Sequence, residues 1–445
     1  MYPRIVIAGT NSSCGKTTIT LAVLQALKNR GINTAAFKCG PDFIDPMFHK
    51  KILGLPSYNL DMYMCEKEIM QGLFCDESRG RDISIIEGVM GYYDGTGKAA
   101  LGSTYDIAGA LSAPVVLVIN ARGMLSSAGA VISGFKNYKP NSNIKGVIFN
   151  RATQRSYAAL KNIAEDCEVA PLGFLPERAE YNFESRHLGL ITADEITGIE
   201  KKMELLGAEA EEHIDINSLL DIAAEAESIE YNSFFPEKLP GKKSPVLAVA
   251  KDEAFCFIYE ENLEILKKLG CRIVFFSPLH DKAIPTDADG LYLPGGYPEL
   301  YKEALSSNKT MLRSIKTAIE GKLPCIAECG GFMYLHLSID KVSMCGVINA
   351  DAFRTSSLQR FGYAEMAALK DNMLCSKGEK IKVHEFHYYE SSNSGEDFLS
   401  VKASDNKETL CIHATENMYA GFPHLYFPAN INFAENFVKR MQKKQ

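Results

Sequence analysis

Short apolar runs alternate with amphipathic stretches through the first half of the chain. Ile5–Ala8, Thr34–Phe37, Ile83–Ile86, Val115–Ile119 and Gly146–Phe149 are brief and largely apolar. Runs of this kind predict strands buried on both faces, as in parallel sheets covered by helices. Between the first two, Thr17–Asn29 carries Ile19, Leu21, Val23, Leu24 and Leu27 on a helical spacing. Strand and helix signals in alternation predict a doubly wound α/β fold.

The pattern changes after Thr192. From there to about Ser228 the chain is rich in Glu, Ala and Leu, predicting helices with a solvated acidic face. Pro236, Pro240, Gly241, Lys242 and Lys243 then interrupt the periodicity just ahead of a new strand-like run, Val246–Ala250. Such a break marks a linker. Arg272–Phe276, Gly290–Leu293 and Pro324–Ala327 continue a second α/β pattern into an aromatic-rich C-terminal third. The expected organisation is two doubly wound α/β domains, 1–230 and 244–445, joined by a linker at 231–243. A chain of 445 residues suits that division.

Composition narrows the class. Hydrophobic residues at 46% and charged residues at 23% are ordinary for a soluble globular protein. A net charge of −7 argues against broad nucleic-acid binding, which needs a basic face. No apolar run reaches the roughly 18 residues of a membrane span, and the first residues read as a strand rather than a secretory leader. Twelve cysteines without a C-x-x-C pair point to free, mostly buried thiols in a reducing cytoplasm.

Two segments carry chemistry. Gly9-Thr10-Asn11-Ser12-Ser13-Cys14-Gly15-Lys16-Thr17 follows the first strand and opens the first helix. Backbone N–H groups there can bind phosphates, Lys16 adds charge, and Thr17 can ligate Mg²⁺. Thr10, Gly15, Lys16, Thr17 and Thr18 are the expected ATP-binding residues. The usual first glycine of such a loop is Thr10 here, preceded by Gly9. Asp42 and Asp45 follow the second strand and Glu87 follows Ile83–Ile86, so all three are expected at one phosphate and metal site. Thr17, Asp45 and Glu87 are the candidate metal ligands, and Glu87 is expected to be solvated. Their mutual repulsion requires Mg²⁺ or a cationic side chain between or beside them.

In the second half, Pro324-Cys325-Ile326-Ala327-Glu328-Cys329-Gly330-Gly331 places Cys329 between a strand and a helix. Small neighbours permit a strained elbow that exposes a thiol, and the helix N-terminus is expected to favour thiolate. Gly330 and Gly296 can supply oxyanion-hole N–H groups, and His424 a base. Cys325 lies within the apolar run and is expected to be inert. His384-Glu385-Phe386-His387 lacks the H-E-x-x-H spacing of a zincin helix.

These segments, with Asn59-Leu60-Asp61, Arg186-His187-Leu188-Gly189-Leu190 and His384 to Tyr388, resemble the cobyrinic acid a,c-diamide synthase family in order and spacing. The resemblance implies a dethiobiotin-synthetase-like ATP domain fused to a class I glutamine amidotransferase domain. It implies an ATP- and glutamine-dependent ligase of cobalamin biosynthesis that amidates the a- and c-side-chain carboxylates of cobyrinate through an acyl phosphate, with Mg²⁺. Its partners would be ATP, L-glutamine and cobyrinate or a related tetrapyrrole acid. Cys329 matches the glutaminase nucleophile and His424 its activator. Asp42, Asp45 and Glu87 match acidic residues of the ligase site, with Arg186, His187 and His384 as further substrate-site candidates. Most class I amidotransferases carry a Glu two residues past the His. Tyr426 stands there, so a Cys–His dyad is expected, with the group that orients His424 left open. Nickel-sirohydrochlorin and hydrogenobyrinate are alternative substrates, and a P-loop switch protein with an inactive glutaminase domain is the competing class. The oligomeric state stays open, a homodimer being one candidate.

Overall fold

The N-terminal apolar runs become one parallel sheet in the computed structural model, which describes residues 2–96, 101–181, 185–186, 189–190, 192–240 and 244–443. Its strands are β1 (Arg4–Gly9), β2 (Thr34–Cys39), β3 (Ser57–Leu60), β4 (Ile83–Glu87), β5 (Val115–Asn120), β6 (Ile144–Asn150) and β7 (Ala170–Leu175). They stand in the order β3-β2-β4-β1-β5-β6-β7, all paired in parallel. β1, β2 and β4 are buried along their whole length, which explains why they read as continuous apolar runs. The strand order reverses beside β1, whose neighbours are β4 and β5. Such a switch point opens a crevice at the C-terminal strand ends. There β1 leads into α1 (Lys16–Asn29), and β2 leads into α2 (Ile44–Leu53). The acidic stretch after Thr192 forms the helices Ile199–His213 and Ile216–Ala224.

The chain divides into two units, Met1–Phe234 and Phe235–Gln445. Ser233 Oγ donates to Asp76 Oδ2 at 2.8 Å, which ties residues just past 230 to the first unit.

In the second unit Arg272–Phe276, Val246–Ala250, Gly290–Leu293, Cys325–Glu328 and Met418–Gly421 pair in parallel in that order, with His413–Ala414 antiparallel at the edge. Phe255, Leu293, Met311, Ile315, Phe332 and Tyr334 are among the buried residues of its core. An antiparallel sheet accompanies it, built on Asp351–Ala368 and Lys380–Ser391, with His424–Leu425 alongside. The register of the long strand shifts between Arg354 and Gly362. Bulges interrupt the two-residue alternation, and that hid this sheet in the linear pattern. Among the described residues no helix is long and apolar enough to cross a membrane. All twelve cysteines are free, and all but Cys167 and Cys256 are buried.

Candidate functional sites

The loop after β1 is shaped by close contacts. A Cβ on Gly9 would fall 2.5 Å from Cys14 Sγ and 2.8 Å from Lys16 Cδ, so glycine is required one residue before the usual place. Gly15 takes φ 104°, a conformation natural to glycine. A Cβ there would lie 1.8 Å from Asn150 Nδ2, and Asn150 donates to the Cys14 carbonyl at 2.9 Å. Lys16 Nζ donates back to the Asn11 carbonyl at 3.1 Å, curling over the loop. Burial lowers the Lys16 ammonium below its ordinary range, with nearby Lys38 adding to the effect. The charge of a bound polyanion would oppose both influences. Thr10 donates to Asn11 Oδ1 at 2.8 Å, and Thr18 lies in the first turn of α1.

Charged side chains converge beside this loop. Thr17 Oγ1 donates to Glu87 Oε1 at 2.6 Å and lies 3.4 Å from Asp45 Oδ2. Lys38 Nζ bridges Asp45 Oδ2 at 2.5 Å and Glu87 Oε1 at 3.1 Å, and donates to the Gly88 carbonyl. The Lys38–Glu87 contact follows from sheet register, because β2 and β4 set these residues directly opposite. His49 Nε2 meets Glu87 Oε2 at 2.8 Å, and its Nδ1 meets Ser57 Oγ at 2.9 Å. Asp45 and Glu87 thus share one cluster, and the cationic side chain between them is Lys38. Asp42 is divided: Oδ1 accepts the Ile44 N–H at 2.7 Å, while Oδ2 is 4.0 Å from Lys38.

Burial alone would push the Glu87 carboxyl up. The Lys38 charge and the His49 and Thr17 hydrogen bonds outweigh it and hold Glu87 well below the usual carboxylate range. Burial and the Glu87 charge raise Asp45 against the pull of Lys38. Glu87 has no exposed surface, which corrects the expectation of a solvated carboxylate. Thr17, Asp45 and Glu87 form a hard oxygen donor set that fits Mg²⁺, an ion that takes few protein ligands. Among the described residues no group of three or more His, Cys, Asp or Glu side chains could hold a metal.

In the second unit Cys329 occupies the turn between the strand Cys325–Glu328 and the short helix Gly330–Tyr334, with φ 46° and ψ −103°. A positive φ on a side-chain-bearing residue is the expected strained elbow, but Cys329 is buried, against the expected exposed thiol. Cys329 N–H donates to the Gly421 carbonyl at 2.8 Å, and Gly331 N–H to the Pro294 carbonyl at 3.0 Å. A Cβ on Gly330 would fall 3.0 Å from Gly296 N, so these two backbones approach each other. The first N–H of the helix lowers the thiol as expected, but burial outweighs it. Burial pushes Cys329 up, with Glu299 adding to it and the Gly330 N–H opposing. Cys325 is fully buried, and burial pushes its thiol up as well.

Parallel pairing sets Glu328 opposite Gly421, so Cys329 and the turn to His424 leave the same sheet edge. A Cβ on Gly295 would lie 2.4 Å from His424 Cε1. His424 Nδ1 is 3.7 Å from Glu328 Oε2. Glu328 also accepts the Leu425 N–H at 3.2 Å and the Tyr292 hydroxyl at 3.1 Å. His384 stands opposite His424 in the antiparallel pairing, and burial, then the His424 charge, lowers it to about 3. His387 stacks on Phe422 at 4.0 Å and meets Glu385 at 3.3 Å. Arg186 stands in the strand Ser185–Arg186, and His187 lies outside the described residues.

Four side chains join these clusters without having been singled out: Lys38, His49, Asn150 and Glu328. Two had a signal. His49 is four residues past Asp45 on α2, hence on the same helix face, and Glu328 directly precedes Cys329. Asn150 and the pairing of Lys38 needed the sheet.

The two units define a class, a nucleotide-binding domain and a glutamine amidotransferase domain carried on one chain. Residues 5–190 match the CobQ/CobB/MinD/ParA nucleotide binding domain, and residues 246–431 match the CobB/CobQ-like glutamine amidotransferase domain. The cobyrinate a,c-diamide synthase of Caldanaerobacter subterraneus subsp. tengcongensis is 38% identical over 429 residues, covering 94% of both chains. That of Dehalococcoides mccartyi strain CBDB1 is 38% identical over 98% of both. That of Thermoplasma volcanium is 38% identical over 100% of this chain and 99% of its own. The chain belongs to the cobyrinate a,c-diamide synthase family and is a glutamine-dependent ligase.

Proposed function

We propose that the chain uses ATP and glutamine to amidate the a- and c-side-chain carboxylates of cobyrinate in cobalamin biosynthesis. The observation that carries this reading is the pairing of two chemistries on one chain: the Thr17–Lys38–Asp45–Glu87 cluster at a phosphate loop, and a strained cysteine at an amidotransferase elbow. The division of labour follows, with ligation in residues 1–230, a linker at 231–243 and glutamine hydrolysis in 244–445.

A carboxylate resists ammonia because its oxygen is a poor leaving group. Its attack on the terminal phosphoryl group of ATP gives an acyl phosphate and ADP. Ammonia then attacks the acyl carbon, and phosphate leaves. Thr10, Gly15, Lys16, Thr17 and Thr18 hold the nucleotide. Mg²⁺, held by Thr17, Asp45 and Glu87, would offset phosphate charge. Asp42, Arg186 and His187 are assigned to the corrinoid. The position of His384 opposite His424 supports a role in packing the base.

In the other half, His424 takes the Cys329 proton, and the thiolate attacks the glutamine carboxamide carbon. Gly296 and Gly330 N–H groups stabilise the oxyanion. Ammonia leaves with a proton from His424, and water hydrolyses the thioester to glutamate. The burial that raises the Cys329 thiol makes His424 necessary, because little thiolate forms unaided.

We assign the protein to the cytoplasm and to a homodimer, which sedimentation would test. The substrate is tested by mass spectrometry of products from cobyrinate, hydrogenobyrinate and nickel-sirohydrochlorin, each with ATP and glutamine. Diamidation of cobyrinate is expected. Turnover of nickel-sirohydrochlorin with cobyrinate inert would overturn the substrate, and no turnover of any acid would overturn the reaction.

A further inference from the structure

The amidotransferase site contains a carboxylate in an unexpected place. Tyr426, two residues past His424, is fully buried and packs edge-on against Tyr259 at 5.1 Å. It supplies no charge to the imidazole. Glu328 lies at the end of the strand that delivers Cys329, with Oε2 3.7 Å from His424 Nδ1. Both groups are buried, at 1% and 2% exposure. We propose that Glu328 is the positioning residue of the glutaminase, orienting His424 in place of the carboxylate that related sites carry beyond the histidine. The inference rests on the reading of Cys329 and His424 as nucleophile and base.

Three observations support it. Glu328 is held from two sides: its Oε2 accepts the Tyr292 hydroxyl and its Oε1 accepts the Leu425 N–H, tying it to the strand that bears His424. Asn262 clamps the end of that strand and the turn after it, donating to the Leu425 carbonyl at 2.8 Å and accepting the Phe427 N–H at 2.8 Å. The Gly295 backbone closes on His424 Cε1, so the ring has little freedom to turn. The physical requirement is as direct. A buried carboxylate held by neutral donors is stabilised by a cation beside it. The imidazolium formed when His424 takes the thiol proton is such a cation. In this role Glu328 transfers no proton. With Nδ1 turned to Glu328, Nε2 exchanges the proton with Cys329.

Glu328→Gln tests the assignment, because the amide keeps the size and an acceptor for Leu425. Glutamine hydrolysis should lose about 10²-fold or more in kcat with KM for glutamine little changed. Glu328→Asp should recover part of the loss, and ammonia-dependent synthesis by the same preparation should stay at the wild-type rate. Unchanged kcat in Glu328→Gln would overturn the proposal. A rise in KM alone would also overturn it, by making Glu328 a binding residue. If the variant does not fold, as loss of ammonia-dependent synthesis would show, nitrogen NMR of histidine-labelled Cys329→Ala protein decides instead. The neutral His424 ring should carry its proton on Nδ1, and a proton on Nε2 would overturn the proposal. His424→Asn separates the two levels of the argument. If it retains glutaminase activity, the reading of the base fails. If it is inactive while Glu328→Gln is normal, only the role of Glu328 fails.

Discussion

Both sites arise where a buried parallel strand turns into a helix, and the two turns meet the same geometric demand differently. After β1 the left-handed residue at the start of the helix is Gly15, at φ 104°, where no side chain is needed. After Cys325–Glu328 it is Cys329 itself, at φ 46°. On the proposed roles, the first turn must bring backbone N–H groups close to phosphate, so a missing Cβ is an advantage. The second must push one sulfur out of a strand, and it accepts a strain of roughly 1–3 kcal/mol to do so. The surroundings differ in the same sense. Thr17, Lys38, Asp45, His49 and Glu87 touch one another around the phosphate loop. Around Cys329 burial dominates and raises the thiol. On the proposed roles, a site for a polyanion gathers charge beforehand, whereas one that releases a small neutral molecule relies on shape and one proton acceptor.

The largest effects test that division. Lys16→Ala should lower synthesis about 10³-fold or more with either nitrogen donor, because both need the activated carboxylate. Cys329→Ala should remove glutamine-dependent synthesis to a similar degree and spare the ammonia-dependent reaction. Assays with both donors decide it, and loss of both reactions in a folded Cys329→Ala protein would break the comparison.

Glu87→Gln probes the charge-rich side. Carboxylate activation should fall on the order of 10²-fold or more, while glutamine hydrolysis measured alone stays within about twofold. Because Glu87 is buried against Lys38 and His49, the variant should also lose on the order of 3 kcal/mol of stability, read by denaturant unfolding. Wild-type stability would show that the cluster is not a coupled ionic unit.

The shape-dependent side is probed by Gly295→Ala. Its Cβ would fall 2.4 Å from His424 Cε1, so the imidazole must move. Glutaminase kcat should drop about 10²-fold, since displacement of a catalytic group by about 1 Å costs that much, with ammonia-dependent synthesis unchanged. A steady-state assay showing normal kcat would mean that His424 has room the structure does not display.

The smallest effect concerns pH. His336 hydrogen-bonds the Phe332 carbonyl and the Ser391 hydroxyl, and burial lowers it from 6.5 to about 4. The folded protein therefore holds it neutral where the unfolded chain would protonate it. Stability from this site is complete well above pH 6.5 and is lost as pH falls through 6.5 towards 4, the loss reaching about 2 kcal/mol by pH 5. Denaturation midpoints at pH 8 and pH 5 should converge in His336→Gln relative to wild type. An equal pH dependence in both would remove His336 from the account.

Local spacing made the phosphate loop, the elbow and the strands β1, β2 and β4 legible, because each is written in consecutive residues. The antiparallel sheet was not, since bulges between Arg354 and Gly362 break the alternation that would announce it. The environment of the Cys329 thiol was only half legible for a related reason. A helix N-terminus can be read from the chain, but the burial that outweighs it at Cys329 comes from the packing of many segments.

The sequence by itself determined the two α/β units, the glycine-framed loop after β1 and the strained turn at Cys329, because strand period, glycine placement and strand-to-helix turns are short-range properties. Tertiary structure alone decided that Lys38 lies opposite Glu87, that His49 reaches Glu87 and that Glu328 faces His424. Those contacts join residues far apart in the chain. They are set by sheet register and strand order, and buried charges acquire partners only once that register exists.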